Sequence, residues 1–417
     1  MTGRKRLSGP LLHNPIFRRL WFALTVSRLG DQFTVLALTW FVLQLTHSGT
    51  AIGLVLLCFQ LPIALTGPLI GKLLDRFQFR TVMGLDNFCR AIIMLGFPVL
   101  HRLGALQLWH VYALAMLAGA VSPATEVGLP VAIPHLVEGG ELEQANALLS
   151  MVWEIATLAG PALGGLLVGL FGAPSVILID ALTFLGMGIV AFSLPRVSHA
   201  QPVKPEAGGG KWLGLDTLFR LRTVRLLTAF ELFVLFIQGL QSVALAVYSE
   251  RTLAAGAAEY GLLLSAFGMG SVLGLLFINR LFAAQDRSGL VLALILALFG
   301  AMVLPLVFLK NLFAALLFLA LAGVVAAPFF PIEQSAVQRL VPAHLRGGVF
   351  GVRGALGISG YPLGGTVGGV LLDHLSAPFV LGLSSLACLA GGLAAFFSPA
   401  MRGLTRAGPV PNQTGNE

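Results

Sequence analysis

Charge is scarce in this chain. Of its 417 residues, only 11% are Asp, Glu, Lys or Arg, against about 25% in soluble domains. A water-soluble fold of this length needs a charged surface to stay dispersed, so the composition excludes one. Cysteine is nearly absent: Cys58, Cys89 and Cys388 all lie in apolar runs. That excludes a disulfide framework and a cysteine metal site. The eight histidines are scattered, mostly in polar segments, and no cofactor is expected. No phosphate loop of the form G-x-x-x-x-G-K-[ST] occurs, so no ATP site is expected. The apolar segments hold no nucleophile–base constellation and no pore-loop filter, which argues against an enzyme or a channel. No cleavable leader is expected either. The first long apolar run, Leu20 to Leu45, exceeds a leader's hydrophobic stretch, and no small-residue cleavage site follows it.

What the chain has is apolar length. Hydrophobic residues make up 57% of it, and there are 50 glycines, a residue common in membrane helices. About 20 mainly apolar residues cross a bilayer as a helix. Spans are predicted at 20–46, 50–71, 81–100, 108–133, 145–171, 175–194, 226–249, 258–278, 288–309, 311–333, 350–372 and 378–399. The partner these runs imply is the lipid bilayer.

Between spans six and seven the chain changes character. It carries Arg196, Lys204, Lys211, Arg220, Arg222 and Arg225, three prolines and the run Gly208-Gly209-Gly210, and reads as a polar linker. The expected organisation is a six-helix bundle at 1–194, a linker at 195–225, a second bundle at 226–399 and a tail at 400–417. The net charge of +8 suggests nucleic acid at first sight, but its distribution is topological. Loops on the side of the termini hold 21 of the 26 Lys and Arg, and the opposite loops hold Arg102, Arg251 and Lys310. Basic loops stay in the cytoplasm, so both termini and the linker are expected there, and no nucleic-acid partner is. The loop at 134–144 departs from this, with Glu138, Glu141 and Glu143.

The two bundles read as repeats. The eleven residues from Gly164 to Pro174 align without a gap on Gly368 to Pro378. Pro123 and Pro134 in span four are spaced like Pro331 and Pro342 in span ten. Parallel six-helix repeats are an established transporter plan, with the substrate site near the bilayer midplane.

Between spans two and three stands Gly71-Lys-Leu-Leu-Asp75-Arg76-Phe-Gln-Phe-Arg80. It resembles the loop signature of the major facilitator superfamily, G-x-L-x-D-R-x-G-R-R/K, and with the spans and linker the resemblance covers nearly the whole chain. It implies an all-α membrane protein of twelve transmembrane helices in two pseudo-symmetric six-helix bundles, working as a secondary transporter. Gln78 replaces the signature's Gly and Phe79 an Arg, which loosens the turn and removes one cation. Gly71, Asp75, Arg76 and Arg80 either anchor the loop at the headgroups or, as the family implies, form a charge-paired latch. The second half has Asn279-Arg280 at the equivalent loop, where an amide cannot form the ion pair.

Span five carries Gly160-Pro161-Ala-Leu-Gly164-Gly165. It is similar to a motif of the superfamily's drug and proton antiporters, and it points to export. Its other reading is helix packing, through small residues four apart and a proline that kinks the helix. Further segments, among them Ser27-Arg-Leu-Gly-Asp31 and Val341-Pro-Ala-His-Leu-Arg-Gly347, are similar to the macrolide-efflux and enterobactin-exporter-like branch. The implied partners are a small amphipathic substrate and protons, in a multi-pass plasma (inner) membrane protein. Uptake of a small solute is the alternative.

Ionisable residues within spans are expensive, about 2.5–3.5 kcal/mol each at a helix centre. Thr25, Arg28, Asp31 and Gln32 follow helical spacing and form one polar stripe on span one. Asp31 lies twelve residues past Arg19, roughly 18 Å along the helix and near mid-membrane. Either Arg28 and Asp31 form a structural pair, or Asp31 binds a proton or a cationic substrate beside Arg28. Glu126 and Glu154 are further candidates for the cavity. Asp86 and Arg90, four apart, read as a structural pair. Glu333, with Arg339 nearby, is expected to pair with an arginine or to snorkel to the headgroups, and Asp180 is expected near the outer end of span six.

Overall fold

A bilayer core offers backbone groups no water, so each N–H and C=O must be satisfied within its own helix. The computed structural model follows that rule across the residues it describes, 11–196, 213–278, 287–342, 345–405 and 408–409. Seven α-helices build the first half: α1 Pro15–Thr46, α2 Gly49–Arg76, α3 Phe79–Arg102, α4 Leu108–Val121, α5 Pro123–Ala132, α6 Leu142–Phe171 and α7 Ala173–Ser193. The second half has α8 Leu213–Arg220, α9 Arg222–Val247, α10 Ala257–Leu273, α11 Ser288–Val303, α12 Leu312–Ala326, α13 Phe329–Leu340, α14 Arg346–His374 and α15 Ala377–Phe397. A two-stranded ladder pairs Leu404–Thr405 with Gly408–Pro409 in the tail.

Eleven of these stretches are long and apolar enough to cross a membrane. The 32-residue α1 is the twelfth span, and Arg28, Asp31 and Gln32 make it the polar exception. Span four is α4 with α5, broken where Pro123 opens α5. Span ten is α12 with α13, broken at Pro328 rather than Pro331. A proline lacks the donor a helix interior needs and fits its first turn. Large apolar side chains such as Leu65, Ile92, Phe277 and Phe313 stay exposed. In water that surface would drive aggregation, and in a bilayer it is the solvent-facing side.

Within the predicted linker, residues 197–212 lie outside the described residues; Leu213–Arg220 is a helix and α9 starts at Arg222. Arg353, counted among the 21 loop cations although it falls within the predicted span 350–372, lies in α14 and is buried.

The chain forms two compact units. One comprises Met1–Leu38 with Cys58–Lys204, the other Thr39–Leu57 with Pro205–Glu417. In the first, α1 packs on α6, α2 on α4 and α3 on α7, each through glycine. A methyl group on Gly160 would meet Gln32 Cβ at 2.6 Å, and one on Gly119 would meet the Phe59 carbonyl at 2.0 Å. The second unit repeats the scheme, with α9 on α14, α10 on α12 and α11 on α15. There a methyl on Gly364 would lie 1.8 Å from the Phe236 carbonyl, and one on Gly270 1.9 Å from that of Ala320. Gly160 and Gly364 are 204 positions apart, as are Gln32 and Phe236, so the sequence repeat is also a packing repeat.

The second unit also holds the α1–α2 turn. The Asp373 carboxylate at the end of α14 accepts from the Gly49 N–H at 2.6 Å, the Thr50 N–H at 3.3 Å and the Ser48 hydroxyl at 3.0 Å. It satisfies first-turn donors that α2 cannot satisfy itself. Arg251 donates to the His47 carbonyl beside it.

A buried charge cluster in the first half

Four spans of the first unit bring ionisable side chains to one place. Helical spacing does the local work: Arg28 and Asp31 share a face of α1, as Asp86 and Arg90 share one of α3. Asp31 is the centre. Its Oδ2 lies 3.2 Å from Arg28 Nη1 and its Oδ1 3.6 Å from Arg90 Nη1. Arg28 also pairs with Glu126 of α5. Arg90 donates to Asp86 through Nε and Nη2, both at 3.1 Å, and to the Asn87 side-chain carbonyl at 3.2 Å. The Thr125 hydroxyl donates to Asp86 at 2.7 Å. Each guanidinium also faces an aromatic ring, Arg28 at 4.6 Å from Trp153 and Arg90 at 4.3 Å from Phe184, a favourable electrostatic contact once water is removed.

Beneath the cluster lies Asp180 of α7, fully buried. It accepts from the Thr34 hydroxyl at 2.5 Å and the Thr183 hydroxyl at 3.0 Å. Gly30 makes the room, since a methyl there would sit 2.1 Å from Asp180 Oδ1.

Exposure separates the three carboxylates that touch arginine. The Asp86 side chain is 2% exposed, Asp31 22% and Glu126 44%. Asp86 is therefore sealed in its pair, Glu126 is the most open of the three, and Asp31 lies between them.

The sequence-derived candidates divide accordingly. Arg28, Asp31 and Glu126 come together. Gln32 is half-buried against Gly160, so the Gly160-Pro161-x-x-Gly164-Gly165 segment lies directly behind the polar stripe, with Gly164 on Phe33. Glu154 is exposed and forms no ion pair among the described residues, so it does not join the cluster. The Thr25 hydroxyl donates to the Trp21 carbonyl instead of joining the polar group. Asp86 and Arg90 form the expected pair, which is also tied to Asp31. Asp180 belongs beside Thr34 in the interior, because α1 and α7 cross at Gly30. Only tertiary contact reveals those links. The one sequence signal was Gly30 next to Asp31.

In the signature loop, Arg80 donates to the Gln78 side chain at 3.0 Å and to the Leu194 carbonyl at 3.4 Å, which ties it to the end of α7. Gln78 has φ −62° and ψ 133°, a conformation any residue adopts, so the turn needs no glycine. Gly71 faces open space. The Asp75 side chain and Asn279-Arg280 lie outside the described residues.

The second unit has its own buried charges. Arg353 Nη2 on α14 lies 2.5 Å from Glu231 of α9 and 2.5 Å from Glu333 of α13. Glu333 therefore pairs with an arginine, Arg353, while the nearby Arg339 donates to the Ser288 hydroxyl. By the 204-residue repeat, the counterparts of Arg28 and Asp31 are Leu232 and Leu235. The two halves share a backbone plan but not a charge plan.

Comparison with known proteins gives the frame. Residues 8–407 match a major facilitator family described as transmembrane secretion effector. The multidrug efflux pump Tap of Mycolicibacterium fortuitum is 29% identical, over 97% of this chain and 98% of its own. Among solved structures, the nucleoside transporter NupG superposes with a TM-score of 0.73 at 16% identity, over 93% of this chain and 98% of its own. A bacterial homologue of the iron transporter ferroportin, in an inward-facing state, gives 0.71 at 17% identity, over 92% and 99%. The fold, the buried charges on membrane-spanning helices and a family match over nearly the full length make this chain a member of the transmembrane secretion effector family of the major facilitator superfamily, a multi-pass membrane transporter.

Proposed function

We propose that the chain is a secondary exporter, coupling efflux of a small amphipathic molecule to inward proton flow by alternating access. The observation that carries the coupling is Asp31. Its carboxylate is shared by Arg28 and Arg90 and stands at the edge of the dry cluster. A group that is wet in one conformation and dry in another exchanges its proton differently in the two, and coupling requires that difference. Export is supported by the Gly160-Pro161-x-x-Gly164-Gly165 segment and by the efflux activity in the name of the Mycolicibacterium relative. In this reading residues 1–194 and 226–399 are the two bundles. The 195–225 segment and both termini face the cytoplasm of the plasma membrane. Gly71, Asp75, Arg76 and Arg80 act as the latch.

The test uses purified protein in liposomes, in both orientations, with a fluorescent lipophilic cation as probe. An imposed pH gradient is expected to drive the probe against the proton flow, and a protonophore to stop it. Asp31→Asn is expected to abolish the gradient-driven part. Flux unchanged by collapse of the gradient refutes coupling, and movement of the probe with the protons refutes export.

A further inference from the structure

The Glu231–Arg353–Glu333 group has a charge imbalance inside the membrane. Two carboxylates compete for one guanidinium. They crowd onto a single nitrogen, Nη2, while Arg353 Nη1 is buried and has no hydrogen-bond partner among the described residues. Both oxygens lie 2.5 Å from the same atom, so they are no more than about 5 Å apart. The Arg353 and Glu333 side chains are 4% and 3% exposed. With all three groups ionised the cluster carries one uncompensated negative charge, which a dry interior penalises heavily. Two like charges at that separation cannot comfortably both persist.

The other charged side chains of the surrounding helices do not relieve it. On α8, Asp216 is exposed and pairs with Arg220 at 2.8 Å. On α9, Arg222 is exposed and Arg225 donates to the Phe219 carbonyl. Arg339 of α13 is bonded to Ser288, and Arg346 of α14 to the Val341 carbonyl. Asp373 at the far end of α14 serves the start of α2.

We propose that Glu231, Glu333 and Arg353 form a second proton-binding site, in which one proton is held by the two carboxylates together. The proton comes from hydronium, which leaves as water, and enters by way of Glu231, the more open carboxylate at 19% exposure. An O–H bond forms on one carboxylate oxygen, which then donates to its neighbour, and the cluster becomes neutral. The freed geometry lets the guanidinium turn its idle Nη1 towards the carboxylate that stays ionised. Binding of this proton is independent of the coupling at Asp31, but its use in transport rests on the proton-coupled reading above.

The imbalance gives an unusual test. Either single neutralisation, Glu231→Gln or Glu333→Gln, leaves one carboxylate with one arginine, and a balanced pair has no need of a proton. Infrared difference spectroscopy of the purified protein in lipid, stepped from alkaline to acid pH, reads carboxyl protonation directly. The wild type is expected to show a protonated-carboxyl band from this site and to take up one proton per chain more than either variant. Both variants are expected to lose that band, and Asp31→Asn to keep it. No band in the wild type that responds to these substitutions, or a band lost in one variant and intact in the other, overturns the shared site. If Glu333→Gln fails to fold, an unchanged band in Glu231→Gln is sufficient to overturn it. Retention of the band in Asp31→Asn, together with failure of the liposome experiment, separates this site from the coupling proposal.

Discussion

The charge cluster predicts a specific non-additivity. Asp31→Asn removes the carboxylate between Arg28 and Arg90 but orphans neither, because Arg28 keeps Glu126 and Arg90 keeps its two-point contact with Asp86. The loss is then that of hydrogen bonds to charged groups, about 2 kcal/mol. Glu126 is 44% exposed, so Glu126→Gln alone should cost no more than about 1 kcal/mol. The double variant is different. It leaves Arg28, with a side chain 12% exposed, without any carboxylate, and an uncompensated buried charge costs about 3–5 kcal/mol. The singles sum to about 3 kcal/mol, so the middle of that range puts the double variant about 1 kcal/mol above the sum, a coupling within the range seen for residues in one network. Equilibrium unfolding of all four proteins in lipid-containing micelles provides the measurement. Strict additivity would refute the shared-arginine reasoning, as would a loss of about 4 kcal/mol for Asp31→Asn alone.

Three further outcomes are expected. Gly30→Ala drives a methyl group into Asp180, where 2.1 Å is available; overpacking of this kind costs about 1–3 kcal/mol, and a thermal scan against Gly186→Ala, where a methyl meets open space, checks it. Asp373→Ala removes three hydrogen bonds from the start of α2, so a cysteine placed at the exposed His47 should react faster with a membrane-impermeant maleimide, and an unchanged rate would mean the cap does not hold the turn. Asp75→Asn should slow transport much more than it lowers expression, and normal transport would leave the signature loop as an anchor.

How far the sequence reaches depends on whether a relation is local. Spans were readable from apolar length, and the repeat was visible because the glycines that let helices approach recur at fixed spacing. Arg28–Asp31 and Asp86–Arg90 were readable as pairs because three or four residues make one helical turn. The fusion of those pairs through Asp31 and Arg90 was not, since it depends on how α1 meets α3. Glu231 and Arg353 are 122 positions apart, and Arg353 sits close enough to the start of its span to be mistaken for a loop cation. Pairing of Glu333 with an arginine was expected, but which arginine was not legible, since on α13 it turns towards Arg353 of α14. Glu154 shares the chemistry of Glu126 but stays exposed outside the cluster, where its neighbour Trp153 is the residue of α6 that meets Arg28.

The repeated glycine contacts set a different kind of limit, on how such a chain can change. A duplicated gene begins with two identical halves, and every substitution after that tests one half at a time. Where a backbone carbonyl occupies the space a methyl would need in both halves, as at Gly119 and Gly323, neither copy can drift. Where the repeat holds Asp31 in one half and Leu235 in the other, both copies have room to diverge. A saturation library should therefore tolerate change least at the glycines of both halves alike. It should treat positions 31 and 235 as unrelated, one constrained by its charge and the other only by its size.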